Sequence, residues 1–222
     1  MPSISTIKAF NETFTFPYIP TAVFVGGTSG IGQTMAEQLA THTNGRANII
    51  IVGRNKATAE RIIASFPNPP TPAETNGVVV KHEFIQCDVS LISNVRAAVE
   101  EIKKRHHKIN MLVCSAGALA MSQKLTSEGL DESLVLRTYA RTKFIYELQP
   151  LLSNARAAGE DGRAMIILNA AANNKVDLND MDVNNFSMMS VNKTTATYND
   201  VFVKVSLQYL KHERVTDDVY RS

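Results

Sequence analysis

Short apolar segments alternate with helical segments along most of the chain, and this alternation restricts the fold more than any other feature. Each apolar segment has the length of a strand, and most of the intervening segments carry apolar residues at helical spacing. Short buried strands that alternate with helices form a parallel sheet covered on both faces. Because crossovers are right-handed, we expect an α/β, Rossmann-like doubly wound sheet of strand order 3-2-1-4-5. The predicted strands are 21–25, 48–52, 78–86, 111–114 and 164–168.

The segments between and after these strands predict helices of ordinary length. The predicted helices are 33–41, 56–66, a helix capped by Ser90 that runs through Arg105, 131–152 and 191–210. The proline-rich stretch 67–77 predicts an exposed loop. We therefore expect a leader over residues 1–20 and a single dinucleotide-binding domain over residues 21–222.

Composition narrows the class of protein. The chain has 222 residues, of which 44% are hydrophobic, and this suits one domain with a sizeable core. A net charge of +2 favours neither a nucleic acid nor an acidic partner. The apolar runs are too short to cross a membrane, and the N-terminus does not resemble a secretory signal. The cysteines Cys87 and Cys114 each end an apolar run, which predicts buried free thiols and a cytoplasmic protein.

A glycine-rich turn follows the first predicted strand. It reads Val25-Gly26-Gly27-Thr28-Ser29-Gly30-Ile31-Gly32 and leads directly into a predicted helix. Glycines permit a tight turn and a close approach of the backbone to a diphosphate, and the helix N-terminus offers unpaired N–H groups to its oxygens. A purely structural turn is the alternative, but the position at the first strand-to-helix turn favours phosphate binding.

Arg54 follows the second predicted strand, about twenty residues beyond the loop, where a carboxylate would hold the ribose hydroxyls of NAD. Gly53 supplies no carboxylate there, whereas the Arg54 guanidinium suits the 2′-phosphate of NADP. This favours NADP(H) over NAD(H). A solvated arginine at the end of the strand is the alternative.

With these residues the chain resembles the short-chain dehydrogenase/reductases, whose first loop reads T-G-x-x-x-G-x-G and differs here only in its leading residue. The resemblance implies that Asp88, followed by Val89, holds the adenine, and that Ala116 and Gly117 stand for the end of the family's N-N-A-G motif. The runs 136–148 and 196–200 resemble a divergent fungal subgroup of the family. The expected activity is that of an NADP-dependent oxidoreductase acting on a carbonyl or alcohol whose identity the sequence does not give.

The catalytic side chains that the resemblance implies are missing from their expected positions. The family serine would fall within 169–172, which reads Asn-Ala-Ala-Ala. The family tyrosine and lysine would fall at Phe186 and Ser190, and the family asparagine at Tyr139. A pseudoenzyme that only binds cofactor, or a non-catalytic fragment, is therefore the alternative to an active enzyme.

Tyr139 and Lys143 form a Y-x-x-x-K pair on the helix before the fifth strand, and they are the remaining candidates for proton transfer. Because Tyr139 aligns with a family position that faces the active site, its hydroxyl could approach the nicotinamide, and Lys143 could lower its pKa. The alternative is that Tyr139 is a packed aromatic side chain and Lys143 a solvated charge.

Two further features carry expectations. The basic run 103–108 predicts a solvated helix end, because cations oppose the negative end of the helix dipole. His106 and His107 lack the spacing of metal ligands, so no metal site is expected.

Family members continue with a sixth and a seventh strand that this sequence lacks, so the last helix would expose an apolar stripe. We therefore expect a marginal monomer, a homodimer through the two long helices, or a C-terminally truncated gene product.

Overall fold

We analysed a computed structural model that describes residues 2–117, 122–168, 178–181, 183–184 and 187–220, the last of these as backbone alone beyond residue 206. The helices are α1 (Ile4–Thr13), α2 (Gly30–His42), α3 (Lys56–Ala64), α4 (Ile92–Arg105), α5 (Glu132–Leu134), α6 (Ala140–Ala157) and α7 (Met188–Tyr220). The strands are β1 (Thr21–Val25), β2 (Asn48–Gly53), β3 (His82–Gln86), β4 (Met111–Cys114) and β5 (Arg163–Ile166).

The five described strands form one parallel sheet in the order β3-β2-β1-β4-β5, which confirms the predicted fold class. β1 lies at the centre, where Val25 is in register with Val52 of β2 and with Cys114 of β4. The carboxyl ends of these strands therefore meet at one edge of the sheet, the edge at which ligands bind in open α/β sheets.

The chain divides into two compact units. The first comprises Met1–Val89, Ser93–Ala116 and Phe144–Ile167, and it contains the whole sheet. The second comprises Ser90–Ile92, Gly117–Lys143 and Leu168–Ser222, and it contains α5 and α7. The expectation of a single domain over residues 21–222 stays a prediction.

The core of the first unit explains why the sheet forms. Every residue of β1 is buried, as expected of a strand with helices on both faces. Alanines on α2 and α3 let these helices approach the sheet closely, and Phe24, Ile49 and Ile51 fill the space between them. On α4, the buried apolar residues recur at helical spacing; they are Val95, Ala98, Val99 and Ile102.

The third and fifth strands are shorter than predicted. Val78 and Val79 were expected in β3 but are 48% and 56% exposed. β3 is an edge strand, and its pairing with β2 begins only where His82 lies opposite Ile49, so the residues before it have no ladder to join. β5 ends at Ile166, and Leu168 is 41% exposed beyond it.

The predicted helix 131–152 is interrupted. Asp131 caps α5 by accepting hydrogen bonds from the N–H groups of Ser133 and Leu134. A π-helical segment, Val135–Tyr139, then separates α5 from α6. Such single turns carry one extra residue and are frequent at functional sites. α2 also begins earlier than predicted, at Gly30, which places the end of the glycine loop inside the helix.

The basic run 103–108 forms an exposed helix end, as predicted, but four of its six side chains are also paired with carboxylates. Lys103 binds Glu147 at 2.8 Å, and His106 Nε2 lies 2.9 Å from Glu83. Arg105 also pairs with Glu83, and Lys108 pairs with Glu160. These partners come from β3, α6 and the loop before β5, and they neutralise much of the local positive charge.

Both ends of the described chain expose apolar side chains. α1 buries none of its residues, and Ile4 and Phe10 are 75% and 62% exposed. On α7, Val201 and Val205 are 46% and 55% exposed, which agrees with the apolar stripe expected there. The described helices include none with the length and hydropathy of a transmembrane span.

Candidate functional site

The glycine loop is held tightly against the end of the sheet. Gly26 donates its N–H to the carbonyl oxygen of Val52 at 2.9 Å and has a φ of 89°, which disfavours other residues. A Cβ at Gly26 would lie 2.6 Å from the backbone nitrogen of Ala116. A Cβ at Gly32 would lie 2.7 Å from the carbonyl oxygen of Gly26. Close approach therefore requires glycine at both positions, and backbone conformation requires it at Gly26 as well.

The N-terminus of α2 presents unpaired backbone donors. Ser29 occupies the N-cap position, yet its side chain makes no capping hydrogen bond. Ser29, Gly30 and Ile31 are exposed, and a Cβ at Gly30 would meet nothing within 4 Å. The first N–H groups of a helix have no partner inside the helix and attract anions. The arrangement fits a diphosphate, because donors and open space occur at the same place.

Ser115 fastens β4 to the base of the loop. Its N–H donates to the carbonyl oxygen of Val25 at 2.9 Å, and its hydroxyl donates to the same oxygen at 3.1 Å. The N–H of Ala116 donates to that oxygen as well, at 3.0 Å. The sequence analysis assigned no role to Ser115, although a small hydroxyl residue beside the Ala-Gly pair was an available signal.

Position 53, at the end of β2, is where a carboxylate would hold the ribose hydroxyls of NAD, and here it is a glycine packed against Thr28. A Cβ at Gly53 would lie 3.1 Å from Cγ2 and 3.2 Å from Oγ1 of Thr28. The Thr28 side chain therefore leaves little room for a Cβ at position 53. The next residue, Arg54, is exposed, and its guanidinium makes no hydrogen bond or ion pair within the described part of the chain. Asn55 caps α3 by accepting a hydrogen bond from the N–H of Thr58 at 3.0 Å.

Arg54 and Asp88 line one open cavity of about 490 Å³ at the carboxyl ends of β2 and β3. Gln86, Asn94 and Ala97 complete its lining. The cavity thus combines a cation, a carboxylate and two side-chain amides. That donor and acceptor set suits a phosphorylated, hydrogen-bonding ring system, as opposed to an apolar ligand.

The thiol of Cys87, the residue before Asp88, is protonated and unreactive at neutral pH. Burial, together with the neighbouring charge of Asp88, raises the pKa of Cys87 to about 12. Neither Cys87 nor Cys114 forms a disulfide, and both are buried, as predicted. Because the thiolate is the reactive form, Cys87 supplies no nucleophile at neutral pH.

The first unit brings together most of the predicted cofactor residues. These are Gly26, Thr28, Ser29, Gly30, Ile31, Gly32, Arg54, Asp88, Val89 and Ala116. Gly117, Tyr139 and Lys143 belong to the second unit, so a role for them in the same site stays a prediction. The positions 169–172 and Phe186 lie outside the described residues.

Tyr139 is half-buried at the end of the π-helical segment. Its ring packs against Leu134, Val183 and Val191, all of which are buried. Nearby, the guanidinium of Arg137 hydrogen-bonds Asn192, and the Asn199 amide donates to the Arg137 carbonyl oxygen at 2.9 Å. Burial lowers the pKa of Arg137. Among the described residues, no three His, Cys, Asp or Glu side chains cluster as metal ligands would.

Comparisons with known proteins agree with this architecture. The model of the short chain dehydrogenase family matches residues 20–167. Oxidoreductase andH of Emericella variicolor is 34% identical over 184 residues, which are 82% of this chain and 51% of that protein. Oxidoreductase AN1596 of Emericella nidulans is 33% identical over 202 residues, which are 89% of this chain and 56% of that protein. The chain thus spans about half the length of the curated relatives it matches.

Solved structures share the fold at low sequence identity. A short-chain dehydrogenase from Sphingobium yanoikuyae in complex with NADPH matches with a TM-score of 0.58 at 22% identity, covering 86% of this chain and 65% of that one. A metagenomic short-chain oxidoreductase in complex with NADP matches with a TM-score of 0.62 at 16% identity, covering 87% and 77%. The expected resemblance is confirmed, and the chain belongs to the short chain dehydrogenase family.

Proposed function

We propose that this chain binds NADP(H) at the glycine loop and forms the cofactor-binding part of an oxidoreductase that acts on a carbonyl or an alcohol. The observation that carries the proposal is the uncapped, open N-terminus of α2. Thr28 packs this loop against Gly53, next to the cavity that Arg54 and Asp88 line.

Each part of the cofactor would be bound by a different group of residues. The N–H groups at the start of α2, from Gly30 to Gly32, would hold the diphosphate. Arg54 would pair with the 2′-phosphate, for which its planar fork of donors is suited. Asp88, which lines the same cavity, would accept a hydrogen bond from the adenine amino group. Ala116, pressed against Gly26, would keep the floor of the site narrow.

The cofactor supplies the hydride chemistry, and the chain supplies binding and orientation. Relatives named as oxidoreductases, and fold neighbours solved with NADP or NADPH, support this assignment.

Binding without turnover is the second candidate function. It is favoured by one observation of the sequence: Asn-Ala-Ala-Ala at 169–172 offers no hydroxyl, and Phe186 and Ser190 replace the tyrosine and lysine that the family uses. Such a protein would sense or sequester cofactor.

One experiment separates these functions. Purified protein is titrated with NADPH and with NADH, and the loss of NADPH absorbance is followed with a panel of ketones and aldehydes. We expect saturable NADPH binding and slow turnover of at least one carbonyl compound. Binding without turnover across the panel would support the second candidate, and absence of binding would refute both.

We further propose a cytoplasmic homodimer whose residues 21–222 fold as one domain. The two buried free thiols support a reducing compartment, and the exposed Val201 and Val205 support association through α7. Light scattering checks the dimer: a strict monomer at micromolar concentration would contradict it.

A further inference from the structure

A second cavity lies at the opposite end of α2 from the glycine loop. Its volume is about 420 Å³, within the range of small-molecule sites. α2 has 13 residues, so about 20 Å separates its two ends. The cavity is therefore distinct from the proposed dinucleotide site. Its lining includes Phe14, Phe16, Tyr18, Leu39, His42 and Arg46.

An aromatic wall forms one side of this cavity. The rings of Phe14 and Phe16 meet edge to face with centroids 4.9 Å apart, and those of Phe16 and Tyr18 lie 5.6 Å apart. Tyr18 is anchored at its far end, because its hydroxyl donates to Asp161 Oδ2 and accepts from the Asp161 N–H at 3.0 Å. Phe14 remains 43% exposed. The Tyr18 end of the wall is thus held in place, and the Phe14 ring is accessible to an apolar molecule.

The rim of the cavity carries cationic and ring N–H donors and no carboxylate. Arg46 uses one guanidinium nitrogen, Nη1, to donate to the Phe16 carbonyl oxygen at 3.4 Å. The structure gives its other guanidinium donors no partner among the described residues. The described lining adds the His42 ring and contains no Asp or Glu. An anionic group is therefore the charge that this rim complements.

We propose that this cavity binds an amphipathic carboxylate, whose apolar body packs on Phe14 and Leu39 and whose anion pairs with Arg46. Apolar walls with few, placed polar groups are the usual composition of small-molecule sites. Neither the cofactor nor the hydride chemistry uses these residues, so the inference does not depend on the proposed function.

The test uses 8-anilinonaphthalene-1-sulfonate, an aromatic anion whose fluorescence rises on binding. We expect saturable binding to the wild type that excess NADPH does not displace. Arg46→Gln and Phe14→Ala should each weaken it about tenfold, as loss of a charge-assisted hydrogen bond or of an aromatic contact would. Lys8→Gln and Tyr146→Ala are matched controls, because both residues are exposed and neither lines the cavity. These controls should bind the probe as the wild type does.

Displacement then defines the ligand. Decanoate should release the probe at a concentration at least about tenfold lower than decanol, since only the carboxylate pairs with the guanidinium. Equal displacement by the two compounds would overturn the proposal. So would probe release by NADPH, unchanged binding in Phe14→Ala, or light scattering in which Phe14→Ala dissociates a dimer, because a second copy would then be the occupant.

Discussion

The hydroxyl of Ser115 donates a hydrogen bond to the carbonyl oxygen of Val25 at 3.1 Å, across the junction between β4 and the glycine loop. The same oxygen accepts the N–H groups of Ser115 and Ala116. Three donors therefore converge on the last residue of β1, immediately before Gly26. This clamp sets where the loop leaves the sheet, and through it the direction of the α2 N-terminus.

Removal of the Ser115 hydroxyl should weaken both fold and binding. We expect Ser115→Ala to lower the free energy of unfolding by about 1 kcal/mol, the usual net value of one hydrogen bond, and to weaken NADPH binding several-fold. Urea denaturation and a fluorescence titration measure the two effects. Thr41→Ala is the control, since Thr41 donates to the Glu37 carbonyl oxygen on the exposed face of α2. Similar losses in both variants would contradict the clamp.

Gly26 and Gly77 separate backbone strain from close approach. Their φ values are 89° and 87°, but a Cβ at Gly26 would strike the backbone of Ala116, whereas one at Gly77 would meet nothing within 4 Å. Both alanine variants should lose about 1–2 kcal/mol to the positive φ. Gly26→Ala should lose about 1–3 kcal/mol more from overpacking and should no longer bind NADPH. Equal urea midpoints for the two variants would contradict the close contact between Gly26 and the backbone of Ala116.

Tyr139→Phe distinguishes a packed ring from a proton donor. Since the Tyr139 ring packs against Leu134, Val183 and Val191, we expect the variant to keep its melting temperature and its turnover of any carbonyl compound that the wild type reduces. A large loss of turnover at unchanged stability would instead assign the hydroxyl to proton transfer. Lys143→Met, measured on the same substrate, would then show whether that lysine supports it.

His82 should make the fold sensitive to mild acid. Burial lowers the pKa of His82 from its usual 6.5, and hydrogen bonds to the backbone of Ala47 and Gly45 oppose this only in part. Its ring packs edge-on against Phe66, and its Nε2 is buried without a partner among the described residues. The unfolded chain therefore takes up the proton first as pH falls, so stability is full above about pH 6.5 and declines below it.

The variant His82→Phe isolates this contribution, because it keeps a ring against Phe66 but cannot be protonated. Urea midpoints at pH 8, 7, 6 and 5 should fall less steeply for His82→Phe than for the wild type. All other titrating groups contribute equally to both proteins and cancel in the difference. Parallel curves would contradict a desolvated His82.

The sheet order and the loop could be predicted because they depend on local patterns. Buried runs such as 48–52 and the spacing of Gly26, Gly30 and Gly32 are visible in a single stretch of sequence. The start of β3 could not be predicted in this way. The start of β3 depends on where β2 begins to pair with it, which is at Ile49 opposite His82. Val78 and Val79 have the composition of a strand, but they precede this pairing and are exposed.

Long-range pairs were invisible for the same reason. The carboxylates that bind the basic run, Glu83, Glu147 and Glu160, lie on other elements, and nothing near residue 105 signals them. The Ser115 clamp joins residues ninety positions apart. The π-helical segment that ends at Tyr139 inserts one extra residue into the helix. The apolar pattern of the sequence is continuous there and does not signal the insertion. The residue types of the candidate site could thus be predicted from the sequence, whereas the long-range contacts that hold it in place could not.

The most direct measurement is the dissociation constant for NADPH and for NADH in the wild type, Arg54→Ala and the control Arg61→Ala, which removes an exposed guanidinium on α3. We predict that the wild type and Arg61→Ala bind NADPH at least about tenfold more tightly than NADH, as one charge-assisted phosphate contact allows. Arg54→Ala should lose that preference while its affinity for NADH changes little. A preference that survives in Arg54→Ala, or no saturable binding of either dinucleotide to the wild type, would contradict the account.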